Sequence, residues 1–240
     1  LSDFSVSELG AFAIKGVIQK TGVDSQKIDE VIMGNVLTAN AGQAPARQSA
    51  ILAGLNKNTN CMTINKVCGS GMKSIMLGDQ SIKLEEASLV IAGGMESMTN
   101  VPHYLLNSRF GTKLGNIKQV DGMINDGLWD VYDQVHMGNH GEACAEKYSI
   151  SRLDQDNYAE LSYKRSQKAA KLGAFDDEII DIIDKDNNKV DINDEEPFRV
   201  NFEKMKKLKS VFKKNGTITA ANASTINDGA AVCLLSSEQH

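Results

Sequence analysis

Residues 62–85 read as strand, turn and helix in direct succession, and this succession most restricts what the chain can become. A β-branched run in Thr63-Ile64-Asn65-Lys66-Val67 delivers Cys68 to a Gly69-Ser70-Gly71 turn, and small and apolar residues follow from Met72 onward. The pattern predicts a strand over 62–67 and a helix over 71–85. The same alternation recurs around it. Ser5-Val6-Ser7-Glu8 has capping-box spacing and predicts a helix to about Lys20, stopped by Gly22. A strand is predicted over 30–37, a helix over 45–55 with Pro45 in its first turn, and a strand over 87–92 ending in Gly93-Gly94. Helices alternating with short apolar strands imply an α/β layered fold. The helix after Cys68 carries Met72, Ile75, Met76, Leu77 and Gly78 and few large polar residues. It is expected to lie between two sheets, the alternative being an ordinary one-sided core helix.

Between about Asn100 and Asn215 this rhythm is lost. Ser151-Arg152-Leu153-Asp154 predicts the cap of a long helix to about Leu172. An acidic stretch follows, and after it a basic one: Arg199 and six lysines from Lys204 to Lys214. Core character returns from Thr217, ending in an apolar strand that contains Cys233, expected to be buried. The chain thus reads as a core built from 1–99 and 216–240, with 100–215 inserted. At 240 residues it can bury a real core, and a net charge of -5 argues against a general nucleic-acid binder. No apolar run reaches membrane-spanning length. Cys61, Cys68, Cys144 and Cys233 form no Cys-x-x-Cys pair and match no zinc module, which fits a reducing compartment. The chain opens on Leu1 with no Arg-rich presequence, so a targeting peptide is expected to be absent or removed.

Cys68 sits where a helix begins. Free backbone N–H groups and the helix dipole favour a thiolate there, and a strand-turn-helix elbow presents a nucleophile with oxyanion donors beside it. The alternative is a buried structural cysteine. The basic run has two readings as well, a binding face for a polyanion or a solvated lysine face.

Six blocks then occur in order along nearly the whole chain: Gly42-Gln43-Ala44-Pro45-Ala46-Arg47-Gln48, Asn65 to Lys73, Ala92-Gly93-Gly94-Met95-Glu96-Ser97-Met98, Asp126-Gly127-Leu128, Val135-His136-Met137-Gly138, and Thr219 to Ala231. With these blocks the chain resembles the N-terminal part of a thiolase, of the short-chain acetyl-CoA acetyltransferase type. The resemblance implies a thiolase-like layered fold with an inserted loop domain. It also implies reversible Claisen condensation of two acetyl-CoA to acetoacetyl-CoA and free coenzyme A, through an acetylated cysteine.

The resemblance carries roles to matching positions. Cys68 is the acylated nucleophile, its own N–H helping to hold the oxyanion. Leu128, His136 and Met137 line the pantetheine channel, Met137 narrowing the acyl pocket. Arg199, Val200, Asn201 and Lys204 match the stretch that holds the adenosine and phosphate end of coenzyme A, and Ser224 a pantetheine contact. Tyr163, counted with the coenzyme A residues, also matches a potassium site with Ala220, Ala221 and Ala223, whose bland alternative is packing in a tight turn. His136 alone could equally be a core histidine. No prosthetic group is implied; coenzyme A thioester is substrate. A homo-oligomer is implied, a dimer or a tetramer paired through the loop near Asn107 to Gly122. The mitochondrial matrix or the cytoplasm is implied, the mitochondrion slightly favoured. The family pattern begins with a strand ahead of Leu1 and continues through a second half carrying further catalytic groups, so residues 1–240 alone are expected to be inactive. The alternatives are a longer-chain 3-ketoacyl-CoA thiolase and, in another class, a non-catalytic coenzyme A-binding or dimerisation module.

Overall fold

The structure is a computed structural model describing residues 1–111, 113–184, 186–190 and 193–238. Thr112 in the expected oligomerisation loop, Lys185, Asp191 and Ile192 in the insertion, and Gln239 and His240 at the end of the core segment lie outside these residues. In chain order the elements are α1 (Val6–Thr21), β1 (Glu30–Gly34), α2 (Pro45–Leu52), β2 (Asn60–Ile64), α3 (Ser70–Lys83), β3 (Leu89–Ser97), β4 (His103–Leu105), β5 (Gln119–Asp121), β6 (Trp129–Asp130), β7 (Val135–His136), α4 (Met137–Lys147), α5 (Arg152–Lys171), α6 (Glu196–Arg199), α7 (Phe202–Met205) and β8 (Asp228–Ser236). They form two compact units: Leu1–Gly127 together with the stretch from Ile226 onward, and Leu128–Thr225. These divisions lie further along the chain than the expected boundaries at 99/100 and 215/216.

The first unit is a four-stranded sheet in the order β2-β1-β3-β8, with β1 parallel to β2 and β3, and β8 antiparallel to β3. Strand alternation sorts the core into two faces. Val31, Met33, Ile91 and Met95 pack with Val6 and Ile14 of α1 and Ala46 and Ala50 of α2. Ile32 and Val90 face the other way and pack with Leu77 and Ile82 of α3. The result is a helix–sheet–helix sandwich.

Local signals act as expected in α1. Ser5 Oγ accepts from the Glu8 N–H, Glu8 returns the bond to the Ser5 N–H, and Gly22 closes the helix in left-handed conformation. Strand ends differ. β1 stops at Gly34 rather than Leu37, and β3 runs to Ser97, straight through Gly93-Gly94. The glycines are a packing requirement: a Cβ on Gly93 would stand 2.0 Å from the Ala231 carbonyl oxygen of β8.

The helix after Cys68 behaves as expected for residues 1–240 taken alone, with Met72, Ile75 and Met76 open to solvent, and the expectation for Cys233 is corrected. The helix after Cys68 is covered on one side only: Ser70, Ser74 and Gly78 are buried, while Met72 is 72% and Met76 50% exposed. Ser70, Ser74 and Gly78, with Leu77 and Ile82, face the β2-β1-β3-β8 sheet, and Met72, Ile75 and Met76 face away. Cys233 is exposed, because β8 is an edge strand and the side bearing the thiol is left open.

The second unit is built on α4 and α5 with the short hairpin β6–β7. Ser151 caps α5 through a full capping box with Asp154. Asp156 of α5 accepts from Arg152 Nε at 2.7 Å and from Asn222 Nδ2 at 2.9 Å, tying the 217–223 segment to that helix. Glu142, only 4% exposed, binds the same segment from α4. Its carboxylate accepts from the N–H groups of Thr217 and Ile218 and from the Thr217 hydroxyl, at 2.8 to 2.9 Å.

Candidate active site

Cys68 follows Val67, a β-branched residue at φ 48°. This conformation is rare for such a side chain, costs on the order of 1–3 kcal/mol, and persists only where neighbours impose it. Those neighbours are identifiable. The Val67 N–H donates to Asn65 Oδ1 at 2.8 Å, and the Val67 carbonyl accepts from Ser70 Oγ at 2.6 Å. Ser70 Oγ also accepts from the Lys66 N–H at 2.9 Å, so the buried Ser70 side chain stitches the elbow together from inside.

Gly34 lets β1 approach the head of α3, because a Cβ there would sit 2.6 Å from the Ser70 carbonyl carbon. Cys68 itself is exposed, in an open cavity of about 420 Å³ walled by Gly34, Val36, Gly71, Gly94, Glu96 and Gly229. Lined largely by glycine, alanine and serine, this space leaves room for a planar thioester close to the sulfur. Of the other thiols, Cys144 and Cys233 are exposed and Cys61 half-buried. Burial pushes the Cys61 thiol up, with Arg47 partly offsetting it.

The remaining expected residues all belong to the second unit. Leu128 ends a π-helical turn over Ile124–Leu128, and its neighbour Trp129 pairs with His136 across the hairpin. His136 caps α4: Nδ1 accepts from the Gly138 N–H at 3.0 Å, leaving Nε2 to carry the ring proton. Its ring stacks on Phe212 at 4.8 Å. Met137 begins α4 and is 39% exposed. The structure therefore gathers Leu128, His136 and Met137 at one end of α4.

A second group forms around α5. Tyr163 Oη donates to Glu196 at 3.1 Å, and its ring meets Phe202 edge-on at 6.4 Å. Arg199 is exposed on α6, paired with Glu195 at 2.8 Å. Val200 and Asn201 link α6 to α7, where Asn201 Oδ1 accepts from the Lys204 N–H at 2.9 Å. Tyr163 thus sits with the Arg199–Lys204 stretch. Asp156, which holds the Thr219–Ala223 turn through Asn222, lies seven residues before Tyr163 and so on the same face of α5. Ala220 and Ser224 are exposed, Ala221 and Ala223 half-buried.

Sequence reasoning missed two clusters. His140 Nε2 lies 2.8 Å from Asp130 and 3.8 Å from Asp133. The other Asp130 oxygen accepts from the Tyr132 and Asp133 N–H groups, and these bonds chiefly, aided by His140, hold the Asp130 carboxyl below its usual range. The cluster closes the β6–β7 turn. The second is the set of bonds around Glu96 described below. In neither case does sequence spacing announce the partners.

The profile of the thiolase N-terminal domain matches residues 1–239. The chain belongs to the thiolase family. Among relatives of this thiolase chain, an acetyl-CoA acetyltransferase of Saccharomyces cerevisiae is 51% identical over 246 residues, covering 100% of this chain and 62% of the relative. One of Schizosaccharomyces pombe is 49% identical over 96% of this chain and 60% of its own length. The mitochondrial acetyl-CoA acetyltransferase of Mus musculus is 49% identical over 98% of this chain and 56% of its own. The chain thus spans about three fifths of the length of these relatives. In structure it is similar to the Acat5 thiolase from Ascaris suum in complex with coenzyme A, with TM-score 0.93 and 40% identity, over 100% of this chain and 62% of that one. The thiolase fold is therefore shown over the whole chain.

Proposed function

We propose that the full-length protein is an acetyl-CoA C-acetyltransferase, condensing two acetyl-CoA to acetoacetyl-CoA and running the reverse thiolysis. The observation that carries this reading is the strained Val67–Cys68 elbow opening into a glycine-walled cavity. The Cys68 thiolate attacks the thioester carbonyl, a tetrahedral oxyanion forms, and coenzyme A leaves as the carbonyl is restored on the cysteine. The Gly69 and Ser70 N–H groups are already engaged by the Lys66 and Val67 carbonyls, so the Cys68 N–H is the proposed oxyanion donor. A second acetyl-CoA then loses a Cα proton to a base expected from the further half of the thiolase pattern, and its carbanion attacks the acetyl-cysteine carbonyl, forming acetoacetyl-CoA and releasing the Cys68 thiolate. The direct test is thiolysis of acetoacetyl-CoA by the full-length protein, with 3-ketoacyl-CoA of increasing length alongside. Faster turnover of long chains than of acetoacetyl-CoA would overturn the short-chain assignment made from Met137.

Coenzyme A would enter along Leu128, His136, Met137 and Ser224, its phosphates meeting Arg199 and Lys204, with Val200, Asn201 and Tyr163 beside them. Arg199 and Lys204 are exposed, and the Glu195 partner of Arg199 is 70% exposed, so the pair is easily exchanged for phosphate. Arg199→Ala is expected to raise the KM for acetyl-CoA severalfold while kcat changes little, because the contact is remote from the reacting carbon. An unchanged KM would make the basic run a solvated face.

Potassium is proposed to rest between Tyr163 and the carbonyls of Ala220, Ala221 and Ala223. The donor set fits a hard cation: the Tyr163 hydroxyl donates a hydrogen bond to Glu196 and keeps its oxygen lone pairs, and the turn supplies backbone oxygens. The ion would brace the turn carrying Ser224. Initial rates in potassium chloride are expected to exceed those in sodium chloride at matched ionic strength, and equal rates would remove the site.

A homo-oligomer is also proposed, through the loop from Asn107 to Gly122, where Phe110 is 95% and Leu114 97% exposed. The proposed compartment is the mitochondrial matrix or the cytoplasm. Among the described residues no helix is long and apolar enough to cross a membrane.

A further inference from the structure

Glu96 stands on β3 in the wall of the Cys68 cavity, and its carboxylate turns toward the end of β1. One oxygen accepts from Asn35 Nδ2 at 2.6 Å and from the Leu37 N–H at 2.9 Å; the other accepts from the Val36 N–H at 2.9 Å. Three donors on consecutive residues converge on one side chain about sixty positions away. This is why the ladder goes no further than Asn35: the Val36 and Leu37 N–H groups belong to a carboxylate rather than to a strand.

The segment held in this way touches the elbow at two points. The Asn35 N–H donates to the Ile64 carbonyl at 3.0 Å, at the last residue of β2. The Val36 carbonyl accepts from Asn65 Nδ2 at 3.5 Å, and the same Asn65 side chain accepts the Val67 N–H. A continuous chain of contacts therefore runs from Glu96 through residues 35–37 to Asn65 and on to Val67, whose unfavourable φ aims Cys68.

Asn35 adds an independent sign of purpose. It is 1% exposed, and its Oδ1 has no hydrogen-bond partner among the described residues. An unpaired buried acceptor is costly, and an apolar residue of similar size would avoid it. The amide Nδ2 bond to Glu96 is the return for that cost.

We infer that Glu96 is a positioning residue for Cys68, acting through the 35–37 segment and Asn65 to hold the elbow in its strained conformation. The inference rests on the proposal that Cys68 is the nucleophile. Glu96→Gln keeps the size of the side chain but presents an N–H group where the Val36 N–H needs an acceptor. Asn65→Ala, at an exposed position, removes the other end of the relay.

The test uses the full-length protein and three readouts: the rate of iodoacetamide alkylation at Cys68, the kcat and KM for acetoacetyl-CoA thiolysis, and the melting temperature. Each single variant is expected to lower alkylation and kcat about tenfold or more, with KM within about twofold and melting temperature within a few degrees of wild type. The double variant is expected to be no slower than the slower single one, because both break one path. Unchanged alkylation and kcat in Glu96→Gln would overturn the inference. So would losses that multiply in the double variant, or that only track a falling melting temperature. Alkylation needs no coenzyme A. An active-site assignment that failed would appear as a wild type unable to turn over acetoacetyl-CoA, while the alkylation rates would still report whether Glu96 sets the elbow.

Discussion

Cys68→Ala is expected to lower acetyl transfer by the full-length protein at least about a thousandfold, with acetyl-CoA binding and melting temperature nearly unchanged. The expectation follows from position. Cys68 is exposed, outside both core clusters, so replacing it removes no packing. No other thiol sits at a helix head: Cys144 lies inside α4, Cys233 inside β8 and Cys61 inside β2. Exposure alone does not separate the candidates, because Cys144 and Cys233 are exposed too. The discriminating feature is the elbow that places Cys68 directly ahead of α3. Iodoacetamide should therefore modify Cys68 well before the other three, and slowest of all Cys61, whose thiol burial holds up. Steady-state rates of the alanine variant check the first statement and peptide mapping after brief alkylation checks the second.

The second large effect concerns stability. Glu142→Ala would leave the Thr217 and Ile218 N–H groups unpaired in a partly buried place, at about 1–2 kcal/mol for each. A total of roughly 3 kcal/mol corresponds to a fall of roughly 10 °C in the melting temperature of a chain of this size. Function would follow, because Thr217 and Ile218 lead directly into the turn that carries Ser224. The same carboxylate gives a pH dependence. Burial pulls the Glu142 carboxyl upward, but the N–H groups of Ile218 and Thr217, the Thr217 hydroxyl and the Lys213 charge together hold it below its ordinary 4.5. A carboxylate lowered in the folded state stabilises above its unfolded value, and that contribution is lost as pH falls through the folded one. Stability should therefore decline from about pH 4.5 downward, and Glu142→Gln should flatten that decline. Thermal melts of wild type and both variants across the acid range measure both effects; equal melting temperatures for wild type and Glu142→Ala would refute the anchoring role.

What could be read in advance follows from where the determining partners lie. The helix ends at Ser5–Glu8, Gly22 and Ser151–Asp154 rest on groups within a few residues of one another, so local spacing reveals them. The bonds among Asn65, Lys66, Val67 and Ser70 in the Cys68 elbow are equally local. Strand ends rest on distant partners. Glu96 ends β1 from another strand, and β8 draws β3 through Gly93-Gly94 from the far end of the sequence. Cys233 lies in an apolar run that suggests burial, yet an edge strand exposes it, and edge position is a property of the sheet order. Glu142 and Glu96 carry no motif of their own. Their importance comes from main-chain donors that arrive from elsewhere, which a linear pattern of side chains does not encode.

The central claim is that Cys68 accepts the acetyl group. Brief incubation of the full-length protein with acetyl-CoA, acid quenching and mass analysis of the peptides tests it most directly. One acetyl group on Cys68, removed again by added coenzyme A, is the predicted result. An acetyl group on another residue, or thiolysis that proceeds while Cys68 stays unmodified, would contradict it.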